Sequence, residues 1–237
     1  MQSNRYTIAF AFTVCVILSV LLSATYMSLK DRQELNRKLD RQKNILIAAG
    51  FSPENADDVG KLFLTRVKPM VLSLGGNVVL GKLPEQIISE ESQNLFPLFR
   101  ISKADNEEET ESFVYPIEGK GLWSTMYGYL AVDPNGKIVK GITFYKQGET
   151  PGLGGEIEKE WFRKNFIGKK LYDGDKLVGI NVAKGKARDQ AAYKTKSQHM
   201  VDGISGATLT CNGITKMLKI NPKKYGLFFR QLRRIEL

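Results

Sequence analysis

The chain has 237 residues, enough for one sizeable domain or two small ones. Its formal net charge of +10 suits contact with anionic lipid, nucleic acid or an acidic partner, and charge alone does not choose among them. Two cysteines, Cys15 and Cys211, are too few for a metal cluster or a disulfide framework. The single histidine, His199, gives no basis for a Ser/His/Asp triad or a multi-histidine metal site.

The first predicted element is a membrane helix near the N-terminus. No charged side chain lies between Tyr6 and Leu29, and residues 8–22 are almost entirely apolar. A run of this length can cross the roughly 30 Å hydrocarbon core of a bilayer as one helix. A cleaved signal peptide is the alternative, but the run is long for one and residues 23–25 are a weak cleavage site. We therefore expect a retained anchor over residues 1–30.

The charges that flank this anchor leave its orientation open. Six basic residues lie within residues 30–43, whereas only Arg5 and the α-amino group precede the helix. A positive-inside count would place the large domain in the cytoplasm. Three acidic residues are interspersed among the basic ones, however, and long domains translocate largely regardless of charge.

Two helices are predicted next, over residues 31–66. The stretch Asp31–Ala49 is amphipathic and ends at Gly50, so we expect a stalk that continues the membrane helix. The sequence Ser52-Pro53-Glu54 is typical of an N-cap followed by proline at the first helical position, which predicts a short helix through about Leu64.

Several stretches bounded by turn residues predict strands. The clearest pair is a hairpin around Asp133-Pro134-Asn135-Gly136, whose residues suit a tight turn. The acidic run 103–111 is expected to be a solvated loop, since contiguous acidic residues splay apart instead of enclosing a metal. The predicted strands are Val67–Leu74, Val78–Leu80, the stretch that begins at Phe113, Tyr127–Val132, Lys137–Tyr145 and Leu177–Val182.

Two glycine-containing segments follow strands. In the first, a flexible Gly119-Lys120-Gly121 turn presents Leu122, Trp123 and Ser124, and packing in the core is the plain alternative for the tryptophan. The second is Glu149-Thr150-Pro151-Gly152-Leu153-Gly154-Gly155, ahead of a predicted helix. It lacks the lysine of a Walker motif and the G-x-G-x-x-G spacing, so by itself it is typical of a strained surface loop.

The last motif is Asp202-Gly203-Ile204-Ser205-Gly206-Ala207-Thr208-Leu209-Thr210, directly before an amphipathic helical pattern. Ser205 can cap this helix, while Gly206 and Ala207 let a ligand approach the backbone. The free N–H groups of a first helical turn favour an anion such as a phosphate. An ordinary capped helix is the alternative.

These three motifs resemble those of a known family. D-G-I-S-G-A-T-L-T is similar to the D-x-x-S/T-G-A-T motif at which FMN is joined through its phosphate to a threonine. That motif belongs to the FMN-binding domain shared by the C-type subunit of the sodium-translocating NADH:quinone oxidoreductase and the G-type subunit of the Rnf complex. E-T-P-G-L-G-G resembles a second signature of the domain, and G-K-G-L-W-S resembles the segment beside the flavin. Residues 35–51 are also similar to the C-type subunit, so the resemblance covers essentially the whole chain and favours that type.

The resemblance implies a covalent flavin site. Thr208 would accept the FMN phosphate from a separate flavin transferase, and Asp202 would orient its hydroxyl or help to hold magnesium during that step. The glycine-rich loop would offer N–H groups to the polar edge of the isoalloxazine, but many relatives have histidine where this chain has Gln147. No catalytic residue and no resident metal are implied. The implied FMN-binding residues are Thr208, Asp202, Ser205, Gly206, Ala207, Leu209, Glu149, Thr150, Gly152, Leu153, Gly154, Leu122, Trp123 and Ser124.

The implied function is that of an electron-transfer subunit. It would relay electrons from an iron–sulfur centre in neighbouring membrane subunits to a second covalent FMN on the B-type subunit, in a complex with subunits of types A, B, D, E and F. That complex oxidises NADH, reduces ubiquinone and exports sodium, whereas this subunit has no complete activity alone. The resemblance also places the chain in the bacterial inner membrane with its large domain on the periplasmic side, against the positive-inside count.

The fold class that we expect is α+β. A transmembrane helix and a stalk helix would precede an FMN-binding domain over residues 67–237, with a twisted mixed sheet flanked by helices. Two alternatives stay open: an Rnf G-type electron carrier, and a membrane-tethered assembly module without flavin. The basic C-terminal tail lacks any helix-turn-helix, zinc or RNA-binding signature, so we expect no nucleic-acid partner and favour a solvated surface or one that docks partner subunits.

Overall fold

The computed structural model describes residues 4–84, 87 and 94–235. The chain divides into two compact units, Met1–Arg41 and Gln42–Leu237. Over its described residues the first unit is a single helix, and the same helix continues into the second unit.

Helix α1 (Asn4–Ala48) joins the predicted anchor and the predicted stalk without a break. Among the described residues it is the one helix that is long and apolar enough to cross a membrane, and none of its apolar window is buried in protein. Its last turns belong to the second unit, where Ile45, Leu46 and Ala48 are buried. The length and composition of α1 therefore agree with a membrane anchor.

The second unit is organised on one sheet. It contains α2 (Ala56–Arg66) and strands β1 (Val67–Ser73), β2 (Leu95–Ser102), β3 (Thr110–Lys120), β4 (Thr125–Val132) and β5 (Val139–Lys146). Consecutive strands are neighbours in the sheet, in the order β1-β2-β3-β4-β5, and every pair in it is antiparallel. The short connections from β2 onwards favour this arrangement, because a parallel pair needs a long crossover.

Short elements and one long helix complete this unit. A 3₁₀ turn at Gly154–Glu158 follows β5, and the remaining elements are α3 (Glu160–Lys164), β6 (Tyr172–Asp173), β7 (Lys176–Leu177), β8 (Asn181–Val182), α4 (Tyr193–Lys196), β9 (Met200–Val201) and α5 (Thr208–Ile235). Among the described strands only β8 and β9 pair in parallel. The expected α+β class is confirmed.

Helix α5 covers one face of the sheet and builds the main core. Its Tyr225 ring stacks on Tyr115 of β3, with ring centroids 4.1 Å apart, and Phe228 meets Phe113 edge to face at 5.4 Å. The Tyr225 hydroxyl donates a hydrogen bond to the carbonyl of Pro97 at 3.0 Å, so its polar atom is satisfied in the core. Burial raises the pKa of Tyr225 well out of the physiological range, which keeps it neutral.

The last turns of α1 pack on the opposite face of the sheet. Thr143 of β5 donates to the carbonyl of Asn44 at 3.3 Å, and Gly141 lies directly under the carbonyl of Ala48. Ile142, between them, joins the core on the α5 side, as the alternation of a strand requires. The sheet therefore separates the end of α1 from α5.

The start of α2 differs from the sequence prediction. Asn55, not Ser52, is the N-cap, and its side-chain oxygen accepts a hydrogen bond from the amide of Asp58 at 2.9 Å. Pro53 and Glu54 precede the helix. Asparagine is as good an N-cap as serine, so local chemistry alone did not choose between them.

Two predicted strands are wrong in extent. Val78–Leu80 contributes a single bridge, in which Val78 pairs with Leu72. Leu177–Val182 is divided between β7 and β8, because the amide of Gly179 donates to the carbonyl of Leu171 at 2.9 Å and the chain turns there with a φ of 70°. Glycine reaches that φ without the steric cost of a Cβ.

The contact between Gly141 and the end of α1 predicts a stability effect. In Gly141→Ala the new methyl group overlaps the carbonyl oxygen of Ala48, so the free energy of unfolding should fall by about 1–3 kcal/mol. Gly60→Ala is the matched control, because a Cβ at Gly60 in α2 meets open space and should leave stability unchanged or raise it by up to about 1 kcal/mol. Urea unfolding in detergent measures both, and equal effects would contradict the packing described.

Candidate functional site

The three segments that the sequence analysis singled out meet at the carboxylate of Glu149. This side chain follows β5 and is 5% exposed. One carboxylate oxygen accepts the amides of Trp123 at 2.9 Å and Ser124 at 3.1 Å. The other accepts the amide of Leu122 at 3.0 Å and the hydroxyl of Thr210 at 2.6 Å. A single buried charge thus joins the turn after β3, the loop after β5 and the first turn of α5.

These hydrogen bonds keep Glu149 ionised. Burial raises the pKa of this carboxyl, but the hydrogen bonds from Thr210, Trp123, Leu122 and Ser124 outweigh burial and hold its pKa below the ordinary value. Four donors aimed at one carboxylate are a strong, charge-assisted arrangement. At neutral pH the site therefore contains a fixed buried anion.

Glycines make room for this carboxylate. A Cβ on Gly121 would lie 2.5 Å from a Glu149 oxygen, and one on Gly154 would lie 2.6 Å from the hydroxyl oxygen of Thr210. Gly206 has a φ of 75°, and a Cβ there would lie 2.8 Å from Leu153. The sequence suggests that these glycines make the loops flexible. In the structure they are points of close contact between segments.

Four large apolar side chains stand exposed on the segments that Glu149 holds together. Leu122 is 49% exposed, Trp123 73%, Leu153 41% and Leu209 58%. We call these four residues the apolar rim. Core packing of Trp123, the plain alternative from the sequence, is wrong. Exposed leucine and tryptophan side chains around one helix start offer a surface on which a planar apolar ring can lie.

The two threonines in the first turn of α5 lie in different surroundings. Thr210 is buried and its hydroxyl is used by Glu149. Thr208, the first residue of α5, is partly exposed, and its hydroxyl has no hydrogen-bond partner among the described residues. Of the two hydroxyl groups, only that of Thr208 is available for modification.

The helix start is capped differently from the prediction. Ala207, not Ser205, precedes the first helical residue, and its carbonyl accepts the amide of Cys211 at 3.0 Å. Ser205 and Gly206 are exposed. The amides of residues 208–210 have no backbone partner among the described residues, as expected for a first helical turn. These amides and the helix dipole favour an anion beside Thr208.

Other implied residues shape the loop after β5. The carbonyl of Thr150 accepts the amides of Leu153 at 3.1 Å and Gly155 at 2.9 Å, and Gly152 supplies a positive φ of 76°. Gln147, for which the sequence indicates no role, uses both ends of its side chain. Its oxygen accepts the Glu149 amide at 2.5 Å, and its nitrogen donates to Glu158 at 3.0 Å. Gln147 thus anchors the loop through hydrogen bonds at both ends of its side-chain amide.

Asp202 lies outside this hydrogen-bond network. One of its oxygens accepts the amide of Ala187 at 2.7 Å, and the other is 3.7 Å from the Lys186 ammonium. Its described contacts therefore hold residues 186–187 beside the motif, and none reaches Thr208. The single histidine, His199, contacts the carbonyl of Lys170 at 2.6 Å, away from these segments.

The arrangement suits FMN. Unpaired helix amides suit the phosphate, the hydroxyl of Thr208 suits a phosphoester, and the apolar rim suits the ring. Among the described residues no group of three or more His, Cys, Asp or Glu side chains could hold a metal ion.

The Glu149 network predicts a loss of stability in Glu149→Gln. Glutamine has one acceptor oxygen, and its NH₂ group would face amide or hydroxyl donors, so the free energy of unfolding should fall by about 2–4 kcal/mol. Glu158→Gln is the control, because Glu158 is exposed and its carboxylate has a single described hydrogen bond, from Gln147. Urea unfolding at pH 7 separates the two, and a Glu149→Gln protein as stable as Glu158→Gln would contradict the network.

The same network predicts a pH dependence. Because folding lowers the pKa of Glu149, its carboxylate stabilises the protein at pH values above the ordinary glutamate pKa, and this contribution disappears as pH falls through the lowered value. Wild type should therefore lose more stability than Glu149→Gln when the pH is lowered from 7 into the acid range. Unfolding midpoints measured across this range test the claim, and parallel curves for the two proteins would refute it.

The sequence of this chain is similar to a known domain family and to known proteins. Residues 121–220, which include the first segment from Gly121 onwards and the whole of the other two, match the FMN-binding domain family. Over its full length the chain is 34% identical to the C-type subunit of the Na(+)-translocating NADH-quinone reductase of Vibrio alginolyticus, of which it covers 98%.

Two solved structures are also similar. The C-type subunit from Parabacteroides distasonis superposes with a TM-score of 0.73 at 27% identity, over 85% of this chain and 96% of that one. Shewanella oneidensis NqrC superposes with a TM-score of 0.70 at 28% identity, over 84% of this chain and 99% of that one. The resemblance inferred from the motifs is confirmed: the chain belongs to the family of C-type subunits of Na(+)-translocating NADH-quinone reductase and carries its FMN-binding domain.

Proposed function

We propose that this chain is the membrane-anchored electron-transfer subunit of a Na(+)-translocating NADH-quinone reductase, with FMN bound covalently through a phosphoester to Thr208. One observation carries the proposal: among the described residues, neither the hydroxyl of Thr208 nor the first amides of its helix have a hydrogen-bond partner, and four exposed apolar side chains lie beside them. Membership in the family of C-type subunits over the full chain supports the identity of the complex and favours it over an Rnf-type carrier.

The attachment step needs a separate enzyme. A threonine hydroxyl is a weak nucleophile, and no described contact supplies Thr208 with a base. A flavin transferase with magnesium would therefore move FMN from FAD to the hydroxyl: the threonine O–P bond would form as the pyrophosphate bond of FAD breaks, with AMP as the leaving group and release of the hydroxyl proton. Asp202 keeps a side chain that is 36% exposed, so its carboxylate is within reach of an enzyme docked on the motif. In this proposal Asp202 helps to place the metal or the hydroxyl in the transferase complex.

Each segment has its own task in the flavin site. The amides of residues 208–210 would bind the phosphate, with Ser205 and Gly206 beside it. Leu153 and Trp123 would shield the ring from water, while Leu122, Ser124 and the glycines of the 152–154 loop would hold its edge. Bound FMN supplies reversible one- and two-electron transfer, and the protein supplies position and environment. A covalent bond keeps a repeatedly used carrier on an exposed domain.

The proposed place of the subunit follows from its family. It would take electrons from an iron–sulfur centre of neighbouring membrane subunits and pass them to a second covalent FMN on the B-type subunit, within a complex of six types of chain, A to F. We place the chain in the bacterial inner membrane with its large domain on the periplasmic side. The single candidate membrane helix among the described residues supports one crossing.

Thr208→Ala tests the attachment site. When the full chain is coexpressed with an active flavin transferase, wild type should show flavin fluorescence on a denaturing gel and a mass increase of one FMN less water. Thr208→Ala should show neither. Thr210→Ser is the control, because it keeps the hydroxyl that Glu149 needs and should remain flavinylated. A wild type without covalent flavin would favour the tethered assembly module without flavin, and labelled Thr208→Ala protein would exclude Thr208 as the only acceptor.

A further inference from the structure

The exposed face of α5 carries basic side chains from its third turn to its end, interspersed with the exposed Ile220 and Leu227. The helix carries seven lysine and arginine residues and no acidic residue. Three lysines lie exposed at helical spacing directly beyond the flavin site, and we call Lys216, Lys219 and Lys223 the lysine stripe. The same face begins with Leu209 of the apolar rim and Asn212, both exposed, at the spacing of three and four residues that puts side chains on one side of a helix.

Within the part of the chain that the structure describes, the lysine stripe makes no ion pair that would stabilise the fold. Lys216, Lys219 and Lys223 have no ion pair among the described residues, whereas Lys224, outside the stripe, lies 3.9 Å from Glu118. Three like charges along one face repel each other modestly. A row of unpaired cations of this kind has little structural benefit and is suited to an external anionic surface.

The stripe is continuous with the flavin site. Lys216 is two helical turns beyond Thr208, about 12 Å along the helix axis at about 1.5 Å per residue. Gly213, between them, lies against the carbonyl of Lys120, whose exposed side chain adds a further cation beside the turn that carries Trp123. An apolar centre bordered by charged residues is the usual anatomy of a protein–protein interface.

We propose that the apolar rim and the lysine stripe form one docking surface for an acidic face of the protein that exchanges electrons with this domain. The proposal rests on the proposed function, since it assumes that the flavin lies at the apolar rim. Opposite charges around an exposed cofactor attract the partner at long range and orient it, while a small contact area lets it leave after transfer.

A protein partner fits the position of the stripe better than a lipid surface does. The stripe begins two helical turns beyond Thr208 on the exposed side of α5, beside the flavin site, where a redox partner has to approach. We therefore assign the surface to an acidic protein, and binding to an anionic bilayer becomes an outcome that the experiment can detect.

The test uses the assembled, membrane-embedded complex. The charge-reversal variant is Lys216→Glu/Lys219→Glu/Lys223→Glu, and the matched control is Lys61→Glu/Lys82→Glu/Lys140→Glu, three lysines that are exposed elsewhere on the second unit. The measured quantity is the rate of NADH-driven quinone reduction per covalent flavin, with the flavin determined on a gel. In the stripe variant this rate should fall about fivefold or more at low ionic strength. The control should stay within about twofold of wild type, and added salt should reduce the difference between the two.

Zero-length carbodiimide coupling of the wild-type complex gives a second readout that needs no variant. It should link lysines of the stripe to aspartate or glutamate side chains of another protein chain. Two results would overturn the proposal. One is an equal rate of quinone reduction per flavin in the stripe variant and the control. The other is that the stripe lysines remain unlinked, while anionic vesicles, but not neutral ones, protect them from acetylation. Absence of flavin in wild type would instead reject the proposed function, so the two failures are distinguishable.

Discussion

A single buried carboxylate holds the candidate site together. Glu149 receives three consecutive amides from one turn and a hydroxyl from the first turn of α5, and each of these groups would otherwise be buried without a partner or left to water. Because its donors come from distant parts of the chain, Glu149 fixes the turn after β3 and the start of α5 relative to each other. In the proposed holoprotein the ring would rest on the first and the phosphate on the second.

The architecture explains why these segments can meet. The antiparallel order of the sheet makes β3, β4 and β5 neighbours, so the turn after β3 and the loop after β5 leave the same end of the sheet. Helix α5 crosses β3, and its second turn at Gly213 abuts the last residue of β3, which brings Thr208 to that end. Aromatic packing of Tyr225 and Phe228 fixes the far half of the helix. A rigid core thus presents an exposed site.

Much of this organisation could be predicted from the sequence. The apolar N-terminal run, the hairpin around residues 133–136 and the three motifs each have a local signature, and the motifs in family order point to one site. The hydrogen-bond partners of Glu149 could not be predicted, since they lie 25–27 residues before it and 61 residues after it in the chain. The helix caps could not be predicted either. Local capping chemistry favours Ser205 for α5 and Ser52 for α2, but tertiary packing chooses among nearby candidates, and neither serine is the cap.

The proposed site depends on Thr208, and not the nearby Thr210, carrying the flavin. The most direct measurement is tandem mass spectrometry of the peptide that contains both threonines, taken from protein matured with its transferase. We expect one FMN phosphoester on Thr208 and an unmodified Thr210, because the hydroxyl of Thr210 is buried against Glu149. A flavin on Thr210, or FMN that is released on denaturation with no modified peptide, would contradict it.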